Sequence, residues 1–563
     1  GSKSVAIGAS ALSEQNFTTA TNTYNVGVGY FAGRNVTTGV QNVLIGGLSG
    51  DALTDADFNV AVGVSALSSD TKGGTAVAVG AAALFTQNFT TTTNNYNTGI
   101  GFNAGYSITT GTQNTIVGGL AADALTVGIH NVALGYAALT TDTKGSASVA
   151  VGNEALSTQN FTTATDTYNV GVGDQAGKAL TTGVQNTLIG GTAGTSLTDA
   201  DYNVAIGFQS LYTNTVGSRS IAIGYNALLL QNPATATNMY NVAVGFSAGE
   251  AITTGQYNIL IGGLTGDALT TGEQNVVIGL EALTNDDVGN RTTAIGTGSG
   301  NAQNIATAAI TYNTLLGYQT GYHNVTGTGN TYVGYNAGVG VSGNSNSGNT
   351  VVGALAFDVV TTGSNNTIYG NQAGDNITTG DNNICIGHQS DTTGATVSQA
   401  IVLGAGVTGA ANTVTFGSST NKITSTFTGT PNWAHSSDER LKKNIQDVPL
   451  GLTFINDLRA VTYNWKGNHE LDSSDKELEH LYKENEEDNV FDTTTTQWGF
   501  VAQEIKSSLD TAGVDDWDGW STDEHGVQRL AHTALLEPLV KAVQELSTQV
   551  TALQAEVNTL KGG

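Results

Sequence analysis

Four prolines, one methionine and one cysteine are spread over 563 residues, and only 12% of the residues carry a charge. With one cysteine there can be no intrachain disulfide framework, so nothing of that kind staples the chain. Cys385 stands in the string NICIG and reads as a small buried hydrophobe. Basic residues are also scarce: 19 Lys and Arg stand against 46 Asp and Glu, for a net charge of -27, and seven of the 19 precede residue 421. No basic stripe exists to neutralise a phosphate backbone, which excludes nucleic acid as a partner. No run of about 18 apolar residues occurs, so neither a transmembrane helix nor membrane insertion is expected. The chain opens Gly1-Ser2 without an initiator Met or a leader peptide, and is expected to be a fragment whose N-terminal attachment to a larger body is missing. No residue pattern calls for a cofactor or a metal.

What the chain has in quantity is glycine, 74 residues, together with Thr, Asn and Ala, a composition suited to short stacked strands and tight turns. Self-similarity can be read off directly. Ile7 in SVAIG recurs as Val79, Val151, Ile223 and Ile295, each a step of 72 residues. Within a block the same string returns at Val28, Ile45, Val62 and Val79, giving steps of 21, 17, 17 and 17. The four extra residues fall in QNFTTATNTYN and its later copies, which end at Asn25, Asn97, Asn169 and Asn241 and are expected to be the longest loops. The strings continue through Val333, Val352, Tyr369, Ile386 and Leu403 and fade near Phe416. The repetitive part is therefore assigned to residues 1–420.

A unit of 17 residues cannot enclose a core alone, so successive units must stack and bury one another's apolar face. Val26 and Val28 fall on one side of a strand and a small or apolar residue on the other, so both faces avoid water. One face fills the interior, with branched residues such as Val151 expected inward. The other needs a partner, most simply another copy. Gly33 and Gly39 mark turns, and the Asn that opens each string can form a stacked ladder. The short string resembles the head repeats of trimeric bacterial adhesins, which implies a parallel β-roll in a homotrimer. Acidic pairs such as Asp55 and Asp57, or Asp199 and Asp201, recur in register. A catalytic pair should break the symmetry at one place, so these read as solvated loop charge.

From about residue 421 the composition changes. All five tryptophans follow residue 430, and ENEEDN at Glu484 to Asn489 reads as an exposed acidic insertion. At the tail, Leu536, Val543, Val550 and Val557 fall seven apart, with Leu539, Leu546, Leu553 and Leu560 at the second position. That is a coiled-coil seam over four heptads, whose Val/Leu usage alone leans to two strands. The junction SSDERLKKNI, Ser436 to Ile445, has a structural reading as a helix start: Ser436 caps, Glu439 completes a capping box and the rest continues the helix. It also has a chemical reading. A serine hydroxyl becomes a nucleophile when a base takes its proton, and a lysine can be that base when burial or neighbouring cations, here Arg440 and Lys443, depress its pKa. Five apart on one helix, Ser437 and Lys442 would not face each other; a dyad needs Ser437 in a non-helical lead-in or a contact between chains.

These strings, with LRAVTYNWK at Leu458 to Lys466 and GFVAQEI at Gly499 to Ile505, resemble the intramolecular chaperone domain of phage tail spikes and fibres, the self-cleaving peptidase S74 family. The resemblance covers about the last 130 residues and departs from the family at the acidic insertion and at Pro538. It implies that Ser437 is the nucleophile, Lys442 its base, and the Ser437–Asp438 bond the one cut, a single autoproteolytic event. It also implies a homotrimer, and a virion location outside the cell after assembly in the host cytoplasm.

The expected fold is mainly β: a parallel β-roll or β-solenoid shaft in a homotrimer, then a small α+β chaperone domain ending in a coiled-coil helix. The expected divisions are 1–420 shaft, 421–435 linker, 436–535 chaperone domain and 536–563 trimerisation helix. The expected function is a tail fibre or spike that contributes to host attachment, with a glycan or surface protein as receptor and other tail proteins joined through the missing N-terminal part. A trimeric cell-surface adhesin and a polysaccharide-degrading tailspike are the alternatives.

Overall fold

The computed structural model describes residues 1–427, 434–435 and 438–562, which separate into two compact units, Gly1–Ser436 and Ser437–Gly563. In the first, each coil contributes one three-residue strand, from Val5–Ile7 and Val26–Val28 through Ile401–Leu403. Each strand pairs in parallel with the strand of the next coil, in unslipped register: Val149 lies opposite Val170, Ala150 opposite Gly171 and Val151 opposite Val172. The result is a β-solenoid within one 26-stranded sheet, whose last parallel strand, Thr413–Gly417, turns to an antiparallel partner, Lys422–Thr426. That strand in turn pairs with Ala434–His435. Residues 421–435 thus contain two strands of the same sheet.

The alternation within a coil settles which side faces in, and it reverses the expectation for the branched residues. From the second coil on, the middle residue of each three-residue strand is buried, Leu44, Ala61, Ala78, Ala150 and Leu188 among them, whereas Val149 and Val151 look outward and are half-buried. Val151 is therefore not an inward position. The Asn before the strand is on the same side as the middle residue, two residues away, and points inward too. Buried amides must be paired, and these pair with the neighbouring coils. Asn42 donates its backbone N–H to Asn25 Oδ1 at 2.9 Å, and Asn25 Nδ2 donates to the Gly39 carbonyl at 2.7 Å. The same two bonds recur at Asn186 and Asn169.

The ladder is interrupted once per block, at Ala76, Ser148, Ser220 and Thr292, where the longer loop enters. There a glutamine from that loop fills the slot. Asn97 Nδ2 donates to Gln87 Oε1 at 2.8 Å, and Gln87 Nε2 donates to Asp70 Oδ2 at 2.7 Å. Gln159 with Asp142 and Gln303 with Asp286 repeat the arrangement. Burial pushes the Asp70 and Asp286 carboxyls above their usual range, against the hydrogen bonds that favour the charged form. The QN of QNFTT is thus a structural plug for a four-residue insertion.

Glycine ends each strand for a steric reason. At Gly152 φ is +138°, a region open essentially to glycine, and a Cβ there would lie 2.3 Å from the Gly173 carbonyl oxygen of the next coil. Gly33 turns the chain at φ +58°, but Gly39 does not; it is needed because a Cβ would meet the Ala56 carbonyl at 2.4 Å.

The second unit is small and mixed. Helix α1 (Leu452–Asp457) precedes an antiparallel pair, Val461–Tyr463 with Gln497–Gly499, and α2 (Ala502–Ala512) follows it. A hairpin, Trp520–Thr522 with Gln528–Leu530, leads into α3 (Leu536–Lys561). Leu450, Phe454, Ile505 and Leu509 form the core, with Trp517 edge-on to Phe454 at 6.0 Å. Pro538 sits in the first turn of α3, where a missing N–H costs nothing. Glu545 of α3 accepts the Leu452 N–H at 2.7 Å and so caps α1.

Candidate functional site

Asp438 is the first described residue of the junction; Ser436 and Ser437 lie outside the described residues. Beyond Asp438 the chain does not form the helix expected from the capping pattern. Glu439–Leu441 is a single 3-10 turn, capped by Asp438, whose carboxylate accepts the Arg440 N–H at 2.9 Å. Lys442 is extended, with φ -110° and ψ 148°. Asn and Asp side chains compete with the helix for backbone N–H groups, and Asp438 does so two residues later than the sequence pattern places the cap. An extended Lys442 removes the helical constraint that would hold positions 437 and 442 on different faces.

Arg440 is committed elsewhere. Its guanidinium forms a two-pronged pair with the Asp438 carboxylate, 2.6 Å at the closest, and this hydrogen bond holds Asp438 below the usual carboxylate range. The pair is exposed to solvent, so water as well as Asp438 screens the Arg440 charge. The downstream strings occupy the framework of the unit. LRAVTYNWK supplies the strand Val461–Tyr463, and GFVAQEI ends its partner strand and begins α2. Arg459 of the first pairs with Glu504 of the second.

Residues 437–514 match the family Peptidase S74, described as chaperone of endosialidase. The chain carries a Peptidase S74 domain after a long β-solenoid. No curated protein and no solved structure matches the chain. The S74 match implies an autocleaving chaperone, and S74 chaperone domains function in trimeric assemblies. Among the described residues no helix is long and apolar enough to cross a membrane.

The assembly surface lies beyond the matched segment. Every seam position of α3 is exposed: Leu536, Leu539, Val543, Leu546, Val550, Leu553, Val557 and Leu560 all present apolar side chains to solvent in the single chain. At the foot of α3 the seam opens into an apolar groove of about 500 Å³ lined by Ile455, Leu458, Phe500, Leu535, Leu536 and Leu539. The acidic insertion is arranged around one buried residue to which the sequence gives no pointer, Asn468. It donates to the Leu481 carbonyl at 2.5 Å and accepts from Val490 N–H at 2.8 Å.

In the shaft, Asp57 and Asp201 are not merely solvated. They accept the Val40 and Val184 N–H groups at 2.7 and 2.8 Å and tie one coil to the one before. A carboxylate group that the repeat pattern does not reveal breaks the symmetry in the last coils: Asp358, Asp375 and Asp391. Burial first, then the charges of Asp358 and Asp391, push Asp375 up to about 7, and burial pushes Asp391 up to about 6. Linkage then gives the sign. The folded chain takes up a proton that the unfolded chain, with its carboxyl near 3.8, does not. These coils are expected to gain stability as pH falls from about 7 toward 4 and to lose it as pH rises through the folded value. Asp375→Asn should be more stable than the parent at pH 8 and flatten the dependence, by thermal melts across pH; an unchanged pH profile would refute the assignment. Cys385 is the buried middle residue of its strand, and burial raises its thiol to about 12.

Proposed function

We propose that the chain is a virion tail fibre or spike, most directly of a phage, whose β-solenoid shaft contributes to host attachment. Its C-terminal part is a self-cleaving intramolecular chaperone that drives homotrimer assembly. The observation that carries this reading is the S74 match at residues 437–514, standing between a long solenoid and an unpartnered four-heptad seam. In this reading residues 1–420 are the shaft, 421–435 a linker that carries the last two strands of the shaft's sheet, 436–535 the chaperone domain and 536–563 the trimerisation helix. Ser437 is the nucleophile, Lys442 its base, and the Ser437–Asp438 bond is the one cut. The lysine takes the serine proton and the alkoxide attacks the Ser437 carbonyl; the C–N bond to Asp438 breaks as its nitrogen takes the proton back from the lysine, and water hydrolyses the ester that remains, which restores the serine hydroxyl and consumes no cofactor.

The physical need for such a domain lies in the shaft. Near-identical coils can pair one step out of register and still bury apolar surface, and a long parallel ladder forms slowly. A seam that gathers three chains in line removes the ambiguity before the coils wind. Cutting afterwards leaves the assembly kinetically trapped, because the nucleating part is gone. The receptor, a glycan or a surface protein of the host, would be met by the shaft.

Removal of residues 536–563 tests the chaperone role. The truncated chain is expected to be aggregated or misfolded, read by size-exclusion chromatography with light scattering. Correctly sized, folded trimers from that truncation would overturn it.

A further inference from the structure

Asp438 and Asn444 stand four residues before and two residues after Lys442, and both are exposed. Neither side chain takes part in the proton transfers of the cut. Each instead fixes a feature of the backbone. Asp438, at φ -68° and ψ 132°, accepts the Arg440 N–H on its carboxylate at 2.9 Å, and the Lys442 N–H donates to the Glu439 carbonyl at 3.0 Å. Together these bonds close the turn Glu439–Leu441. Asn444 lies at φ +56°, in the left-handed region, which asparagine enters more readily than most side chains and which a β-branched residue resists.

The consequence of both features falls on Lys442. Three residues of extended chain span about 10 Å, whereas a turn closed by such a hydrogen bond holds its ends within about 7 Å. The turn therefore draws the Lys442 backbone back toward the Asp438 nitrogen, the leaving group of the cut, while Lys442 itself is extended. Two positions later the left-handed residue redirects the chain and ends that extended run. A lone turn is marginal, because forming it fixes several dihedral angles for one hydrogen bond. Asp438, Glu439 and Arg440 are all exposed, so the cap, rather than burial of these side chains, decides how often the turn is formed. A base acts only from within hydrogen-bond reach of the proton it takes, and the rate of cutting then follows the population of the turn.

We propose that Asp438 and Asn444 are positioning residues of the self-cleavage: they set the backbone on either side of Lys442 and so hold the base near the bond to be cut. The proposal rests on the reading that Ser437 and Lys442 cut the Ser437–Asp438 bond, and adds the property that each flanking position supplies. At 438 that property is a side-chain acceptor for the Arg440 N–H. At 444 it is the freedom to hold a positive φ. The charge of Asp438 and the amide of Asn444 are dispensable in themselves. The Arg440 side chain is dispensable too, since the cap uses its backbone N–H, which Arg440→Ala keeps.

Two pairs of variants in the full-length chain test this. Asp438→Ala removes the acceptor, and Asp438→Ser restores one without the charge. Asn444→Val opposes the left-handed backbone, and Asn444→Gly permits it with no side chain at all. Chains pulse-labelled in cell-free translation are chased, and the smaller piece is followed on denaturing gels while trimers are followed by native electrophoresis. Asp438→Ala and Asn444→Val are expected to cut roughly fivefold or more slowly than the parent. Asp438→Ser and Asn444→Gly should cut near the parental rate, and all four should form trimers as the parent does. Parental rates in Asp438→Ala and Asn444→Val would overturn the proposal. So would Asp438→Ser as slow as Asp438→Ala, which would assign the effect to charge, or Asn444→Gly as slow as Asn444→Val, which would assign it to the amide. Slow cutting accompanied by loss of trimers would place the effect in folding and overturn it as well. These results leave the dyad standing if Ser437→Ala abolishes cutting; a Ser437→Ala chain that still cuts would overturn the dyad and this proposal with it.

Discussion

Ser437→Ala and Lys442→Ala are expected to leave the chain uncut at 563 residues, while the unaltered chain yields one piece ending at Ser437 and another beginning at Asp438. The effect should be all or none on the timescale of folding, because a serine hydroxyl without a base, or a base without a nucleophile, has no other route to attack the carbonyl. Both variants should still assemble, since the seam of α3 is untouched. Ser436→Ala is the control. The structure replaces its supposed helix-capping role with Asp438 as the cap of a short turn, so its loss should leave cutting intact. Arg440→Ala is a second control, because its guanidinium is held by Asp438. Mass spectrometry of freshly folded protein reads all five chains. Cleavage at the normal rate in Ser437→Ala would defeat the mechanism, as would fully folded parent trimers that never cut.

The second large effect concerns the inside of the shaft. Ala150→Asp places a carboxylate at a fully buried position whose neighbours along the shaft are Ala133 and Gly171. An unpaired buried carboxylate either keeps its charge at great cost or neutralises, and the loss should be about 3 kcal/mol or more. Melts should show those coils unfolding early. Val151→Asp, one residue on, points outward, so it should cost the coil far less. Asn94→Asp, exposed at the end of the short strand Thr93–Asn94, should leave the melt unchanged. Equal melting temperatures for Ala150→Asp and Asn94→Asp would show that inside and outside have been exchanged.

Much of this architecture is written in the repeat itself. The 72-residue spacing, the 17-residue coil and the Asn before most strands are enough to require a stacked solenoid with an internal ladder, because a unit that short cannot enclose a core alone. The four-heptad seam is legible for the same reason, a period that matches the helix. The string from Ser437 to Ile445 identifies the chaperone domain because it belongs to a family rather than because of its local pattern. Local pattern misread it as a helix, where Asp438 takes the cap and Lys442 is extended. Which face of the strand turns inward could not be read from alternation, since Val149 and Val151 are as apolar as Ala150. Only the closed coil decides it: the buried Asn amides must reach the carbonyls of neighbouring coils, and they carry the middle residue of each strand inward with them. The Gln87–Asp70 plug and the Asp358, Asp375 and Asp391 group were invisible for a related reason. Residues 16 to 17 apart in sequence become neighbours only when the chain has wound once around, and burial of their carboxyls exists only after that turn is made.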